Sequence, residues 1–484
     1  MANSKTVLKA TQVIDGASDD PIDDGVVVVE GDEIADVGRE GRVDVPANAE
    51  VVETDGTIMP GLMDIHMHLS SHNVTTFKNH RVALYETSPE LQQLYALHHA
   101  KMMFDHGFTT IRDMPWVTNQ GDDTARMMVA IRDAIANGIH QGPRLLVGGY
   151  AHITNSHFDV LLPRGSPRDP KIWDSGWTAD GPDELRKMAR EKMLRGVNFI
   201  KTVASGGGGT DLEPPNVRNM TQEELDAIVD EAHAFDKHCS CHCFTPEAQR
   251  AAVRAGVDTI EHCVFTDEEA LDAMQEADVP VIPTFMHRTD HAIKVREQIG
   301  TSDYVLNKMR EIQPYCWDTF RRLLDRDITI AMGTDTHYDP EMGTNVGEIE
   351  IYVDLGMDPM EALKTATKNA AEAIGMGDEI GTLEPGKSAD LIVVDGDPLS
   401  DVAVLQDKAN IEVVMKQGTV SVDRRPGHER YLFPNDEYRW DRIMGGGDAP
   451  ADVDVDVSDL DLPRPRSENE GELDVEYEMA YDDD

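Results

Sequence analysis

The chain reads as an α/β protein, a (β/α)8 TIM-like barrel carrying a small composite β-sandwich domain. Three observations predict this. Strand-like stretches recur at 62–68, 108–113, 144–150, 198–204, 239–243, 258–262, 279–284 and 329–334 with helical segments between them, which is about eight βα units over roughly 300 residues. Short β-branched runs broken by Gly–Asp or Asp–Gly turns occur near both ends of the chain, as hairpins do. Polar side chains capable of chemistry fall at the C-terminal ends of the middle strands, where such a barrel gathers its functional groups.

In order, Val26–Val29 precedes Glu30-Gly31-Asp32, and Glu50–Glu53 precedes Asp55-Gly56. The pattern returns at Ala389–Asp397 and Val413–Gly418. Residues 1–60 and 376–425 are therefore expected to build one β domain, with the barrel, 61–375, inserted between them. An open doubly wound sheet is the alternative. It is weakened because no Gly-x-Gly-x-x-Gly follows the first barrel strand. Thr221 and Glu224 form a capping box for a helix over 221–238 whose stripe is Leu225, Ile228, Val229, Ala232 and Phe235. Thr245 caps a helix starting at Pro246 and closed by Gly256, and residues 358–374 form a further amphipathic helix. Residues 426–484 hold Gly445-Gly446-Gly447 and an acidic run ending Asp482-Asp483-Asp484. They read as a disordered, solvated tail, with an acidic docking segment as the alternative.

The 484 residues include 91 acids against 44 bases, a formal net charge of -47. That excludes nucleic acid and anionic membrane as partners, since both need a basic face. The acids are spread along the whole chain, as in a halophilic protein kept soluble where strong salt screens self-repulsion. An ordinary acidic protein with an acidic tail is the plainer reading. The N-terminus lacks a signal-peptide core, no apolar run reaches membrane-spanning length, and five cysteines make no disulfide framework. Together these point to a reducing cytoplasm.

His66 and His68 close the first barrel strand on one face, where two imidazoles can grip one ion. Lys201 lies in the apolar strand Phe199–Val203 and must pair, neutralise or be modified. His242 shares a face with Ser240 while Cys239, Cys241 and Cys243 take the other. The cysteines then read as small core residues in preference to a thiolate zinc site. His262 ends the sixth strand and Asp335 the eighth. Singly, each has a structural explanation.

Together, this set resembles that of the amidohydrolase superfamily. Met59–His68, Gly107–Asp113, Ile200–Gly207, Gly256–His262, Gly333-Thr334-Asp335 and Gly381–Asp390 are similar to its imidazolonepropionase-like and Xaa-Pro dipeptidase (prolidase-like) branch. The resemblance covers about residues 5–425. It implies a binuclear centre of two divalent ions, zinc before manganese, cobalt or iron. His66, His68 and Asp335 would hold one ion and His242 and His262 the other, with Lys201, carboxylated by carbon dioxide, bridging them. It also implies a metal-bridging hydroxide as nucleophile and Asp335 as general acid–base. The lysine points to the two-metal side of the branch.

Relatives often carry Gly-Gly-His after the third strand. Here the order is Gly148-Gly149-Tyr150-Ala151-His152, so His152 or His157 is left to reach the substrate carbonyl, with a structural role as the alternative. Gly206–Gly209 reads as a flexible lid. Arg218 reads as a surface arginine first and a ligand for a substrate carboxylate second. His337 is read as a neighbour supporting the ligands, and His98 and His99 as helix residues without a role.

The expected activity is metal-dependent cleavage of a C–N amide bond in an N-acyl amino acid or dipeptide, Xaa-Pro included, by an enzyme acting on small molecules, with a homo-oligomer as its candidate assembly. A one-metal cyclic-amide hydrolase like imidazolonepropionase is the alternative, and an inactive scaffold the remaining class.

Overall fold

The computed structural model describes residues 5–71, 83, 86–115, 123–158, 178–210, 213–336 and 342–433. Strands β1 (Lys5–Val13), β2 (Ile22–Glu30), β3 (Glu33–Arg39), β4 (Glu50–Glu53) and β5 (Thr57–Pro60) come first. The barrel strands β6 (Leu62–Met67), β7 (Phe108–Asp113), β8 (Arg144–Tyr150), β9 (Phe199–Val203), β10 (His238–Cys243), β11 (Thr259–His262) and β12 (Val281–Ile282) follow. The last three are β13 (Leu391–Val394), β14 (Ile411–Lys416) and β15 (Thr419–Asp423).

Both ends of the chain build one sheet, in the order β15-β14-β13-β5-β1-β2-β3 with β4 also paired to β1. The halves meet where β13 lies antiparallel to β5, from Leu391↔Pro60 to Val394↔Thr57. Among the described residues this is one continuous mixed sheet, where the sequence suggested a sandwich. Period two sorts its faces. Leu391, Val393, Val413 and Met415 join Leu8, Val27 and Ile58 in the small domain's own core. Ile392, Val394 and Val414 turn instead into the core shared with the barrel. Gly61 makes the passage from one domain to the other. A Cβ there would sit 2.2 Å from Thr109 Oγ1, so only glycine lets β6 enter the barrel beside β7.

The seven strands β6 to β12 form a parallel sheet in sequence order. The eighth place is filled by residues 329–336, which hold it by backbone bonds and isolated bridges without becoming a regular strand. On one side Val281 N–H donates to Thr329 O (2.9 Å) and Ala331 N–H to Val281 O (3.0 Å). On the other Ile65 donates to Met332 O (3.1 Å), Asp335 to His66 O (2.8 Å) and His68 to Thr336 O (3.1 Å). The segment is irregular because Gly333 is pressed between His66 and Ile282 and Asp335 has φ 59°.

The helix Gln222–His233 has both bonds of the capping box between Thr221 and Glu224. It stops before 238, which leaves Phe235 exposed at its foot. Pro246–Ala255 begins at the Thr245 cap and ends on Gly256 in the left-handed region, as the sequence predicts. The helix expected over 358–374 is two, Pro359–Thr365 and Lys368–Ala373. The break arises because Met332 N–H takes the Thr365 carbonyl (2.8 Å) and Met63 N–H takes that of Ala366 (2.8 Å). Those acceptors serve the barrel strands and are withdrawn from the helix. Of the expected tail, Leu432 and Phe433 are buried, with the Lys101 ammonium 4.7 Å from the Phe433 ring centre. Residues 434–484 lie outside the described residues. No described helix is long and apolar enough to cross a membrane.

Candidate metal centre

His66, His68 and Asp335 converge at the C-terminal mouth of the barrel, their ligand atoms all within 4.8 Å of one another. His66 near the end of β6 and His68 just past it point the same way because a single residue, Met67, separates them. Asp335 is turned toward them by its left-handed backbone. Left-handed φ also occurs at His262 (75°) and Thr284 (59°). For residues other than glycine such conformations cost about 1–3 kcal/mol each and tend to gather at functional sites. His262 lies 4.8 Å from His66 and 4.6 Å from His242, ring centre to ring centre. The four imidazoles therefore form one group.

Each ring has one nitrogen tied off. His66 Nδ1 donates to Glu261 Oε2 (2.6 Å), His68 Nδ1 to Met114 O (2.5 Å) and His262 Nδ1 to Thr284 Oγ1 (2.7 Å). His242 is held by its other nitrogen, Nε2, against Gly206 O (3.0 Å). These bonds select the tautomer and aim the remaining lone pair, as outer partners of metal-binding histidines do. His68 Nε2 stands 2.9 Å from Asp335 Oδ1, a separation that a proton on His68 or an ion between the two groups can bridge.

The electrostatics agree. Burial lowers the His66 pKa to about 4, helped by Lys201, and burial holds His242 and His262 well below their ordinary value. All three are therefore neutral, the form that ligates. Burial alone would raise the Asp335 carboxyl, but His287, the bond from His68, and His66 and His262 hold it well below the carboxylate range.

Lys201 is 1% exposed, and its Nζ has no hydrogen-bond partner among the described residues. Burial lowers its pKa, against the pull of Glu261. The barrel interior thus holds an amine whose charge burial disfavours, within electrostatic reach of His66, His242, His262 and Asp335. A buried amine without a hydrogen-bond partner fits conversion to a carbamate, and the donor set fits divalent metal.

Behind the candidate ligands is a support that the sequence did not predict. Glu261 accepts from His66 with one oxygen, and with the other from Arg112 Nη2 (2.6 Å) and Thr259 Oγ1 (2.7 Å). Arg112 Nε donates to Ile65 O (2.5 Å). Asp64 accepts from Thr334 Oγ1 (2.7 Å) and Asn345 Nδ2 (2.8 Å), binding β6 to the eighth segment. The available signal was charged residues inside apolar strands, at 64, 112 and 261.

The two histidines proposed for substrate part company. His152 is fully buried, its Nδ1 bonded to Ser156 Oγ (2.8 Å), and burial brings its pKa to about 3. Its ring meets Phe158 at 5.6 Å, and Phe158 lies 6.4 Å from His242. His157 stacks directly on His242 at 4.6 Å and is anchored by Glu213 (2.7 Å). Arg218 is exposed. Gly206, Gly207 and Gly208 are buried, and a Cβ on Gly207 would lie 2.1 Å from His157 Cε1. Close packing explains these glycines, and the expected flexible lid is corrected accordingly. The cysteines of β10 are free and buried in the main core, as their face predicts. His337 lies outside the described residues.

Comparison with known proteins follows the same lines. The model of the amidohydrolase family matches residues 57–420. Ochratoxinase of Aspergillus niger is 28% identical over 438 residues, 85% of this chain and 86% of the relative. Imidazolonepropionase of Geobacillus kaustophilus is 24% identical over 439 residues, 83% and 91% of the two chains. The crystal structure of a Xaa-Pro dipeptidase with bound methionine in its active site superposes with a TM-score of 0.76 at 31% identity, covering 86% of this chain and 99% of the other.

Proposed function

The chain belongs to the amidohydrolase family and is a hydrolase of amide bonds, and from that premise we propose that it cleaves an N-acyl amino acid or a dipeptide, Xaa-Pro included, with two divalent ions. The observation that carries the reading is Lys201, a buried amine without a partner among four imidazoles and a carboxylate. As a carbamate it would offer one oxygen to each ion. His66, His68 and Asp335 would hold the first ion, and His242 and His262 the second, with zinc the first choice for such nitrogen donors. Bound metal supplies a Lewis acid for the scissile carbonyl and a water acidified toward neutrality.

The chain's own residues do the rest. Asp335, ionised and facing the mouth, takes a proton from the attacking water and returns it to the leaving amine. His157, stacked on His242, would meet the substrate carbonyl, and His152 would support the loop. The bound methionine of the dipeptidase relative favours an amino acid as one product. The acid excess adds a requirement for molar salt, and the five free cysteines suit a reducing cytoplasm.

The test is metal analysis together with hydrolysis of N-acyl amino acids and Xaa-Pro dipeptides, in high-potassium buffer with bicarbonate. Two ions per chain and chelator-sensitive release of amino acid are expected, with both the second ion and activity lost in Lys201→Ala. A one-metal cyclic-amide hydrolase is the second reading, favoured by the tight convergence of only His66, His68 and Asp335 among the described residues. It predicts one ion and an active Lys201→Ala.

A further inference from the structure

Just past β12, the turn Met286–Arg288 carries an arginine into the barrel mouth. Arg288 is 2% exposed. Its Nε and Nη1 have no hydrogen-bond partner, and it has no ion pair among the described residues. The nearby carboxylates are engaged elsewhere. Glu348 accepts from the backbone N–H of Phe285 (2.7 Å) and Met286 (2.6 Å), and Asp335 faces the histidines. A guanidinium cannot discharge itself by losing a proton, so a buried one without an anion is a standing cost. The chain has only 44 basic residues among 484, which makes an unpaired one in the interior a conspicuous placement.

Its position relates it to the metal centre. The Arg288 guanidinium lies 5.3 Å from the centre of the Phe244 ring. That ring stacks on His242 at 4.7 Å and meets His262 edge-on at 5.4 Å. One aromatic ring therefore separates the guanidinium from the two imidazoles. Gly208 flanks the same place, where a Cβ would come 3.0 Å from Arg288 Nη1, so the glycine leaves the fork uncovered. Arg296 and His287 are buried nearby and bonded to each other.

We propose that Arg288 anchors the free α-carboxylate of the substrate, with the scissile carbonyl lying over the metal ligands. This rests on the amide-hydrolase reading and narrows it. The leaving portion is an amino acid with an unblocked carboxylate, received in the paired geometry that guanidinium and carboxylate share. Amino acid esters and carboxamides would be poor ligands, because they leave the guanidinium without its anion. Phe244 would serve as the floor on which the amino acid backbone lies.

The test is binding of a product that cannot be turned over. Calorimetric titration of the metal-loaded protein would compare L-methionine and L-proline with their carboxamides, in the wild type, Arg288→Lys and Arg288→Met. The wild type is expected to prefer the carboxylate about 10- to 100-fold, as a charge-assisted bond allows. Arg288→Met should bring that ratio to about one, and Arg288→Lys should retain part of it. Arg288→Met removes a buried unpaired charge, so its fold is expected to survive. Thermal melting would check this, and the lysine variant carries the test if it does not. Wild-type affinity for L-methionine or L-proline in Arg288→Met would overturn the proposal, as would a wild type indifferent to the carboxylate. Carboxylate preference without hydrolysis of any N-acyl amino acid would leave the anchor standing and refute the hydrolytic reading.

Discussion

Glu261→Gln tests whether the buried support behind His66 governs the metal centre. The wild-type carboxylate accepts from His66 Nδ1 and Arg112 Nη2, each at 2.6 Å, and both partners are almost wholly buried. A glutamine has one accepting oxygen, so its amide must face one of two donors. Bonds to a charged group contribute about 1.5–3 kcal/mol each, and stranding a buried guanidinium costs about 3–5 kcal/mol in all. The His66 ring would also lose the bond that orients Nε2, which at the proposed metal site would cost about 10- to 100-fold in metal affinity. Burial would raise the Glu261 carboxyl, but Arg112, Lys201 and His66 hold it well below the ordinary range. Its contribution is therefore present above the unfolded carboxylate pKa and fades as pH falls through the folded one. Urea unfolding at pH 7 and pH 4, with metal competition against a chromophoric chelator, measures both effects. Wild-type affinity and unchanged stability at pH 7 would refute the reasoning, and a stability gap that widens in acid would refute its electrostatic part.

Three further outcomes are expected. Burial raises the Glu348 carboxyl to about 8, so the folded state holds its proton more tightly than the unfolded chain. Its contribution is full below about pH 4.3 and is lost as pH rises toward 8. The stability difference between wild type and Glu348→Gln should therefore move in favour of the variant by on the order of 1 kcal/mol per pH unit across that window, read from urea melts at pH 5, 7 and 9. Gly207→Ala forces a methyl into the His157 ring and should destabilise by about 1–3 kcal/mol while displacing His157, lowering kcat/KM; a melting temperature and kcat/KM equal to wild type would contradict the packing account. Dilution from molar potassium chloride to low salt should lower the melting temperature, because the charge of -47 is then unscreened; a flat salt profile would remove the halophilic reading.

Much of the molecule was legible in the sequence because the relevant physics is short-range. Strand alternation put His66 with His68, and His242 opposite the cysteines of β10. The capping box of Thr221 and Glu224 and the glycine stop at 256 are decided within a few residues, as was the turn chemistry of the end segments. Only the tertiary structure could choose between His152 and His157 as neighbour of the candidate metal centre. That choice depends on Glu213 and the Gly207 backbone, which come from a different loop. The Glu261 support joins residues 195 and 149 positions apart, and no local pattern encodes such a meeting. The same holds for the helix broken at Ala366, whose local periodicity favours continuity until barrel strands claim its carbonyls. Arg288 is the clearest case. In the sequence it is one more cation after a strand, and only burial without an anion, one ring away from His242 and His262, gives it a role.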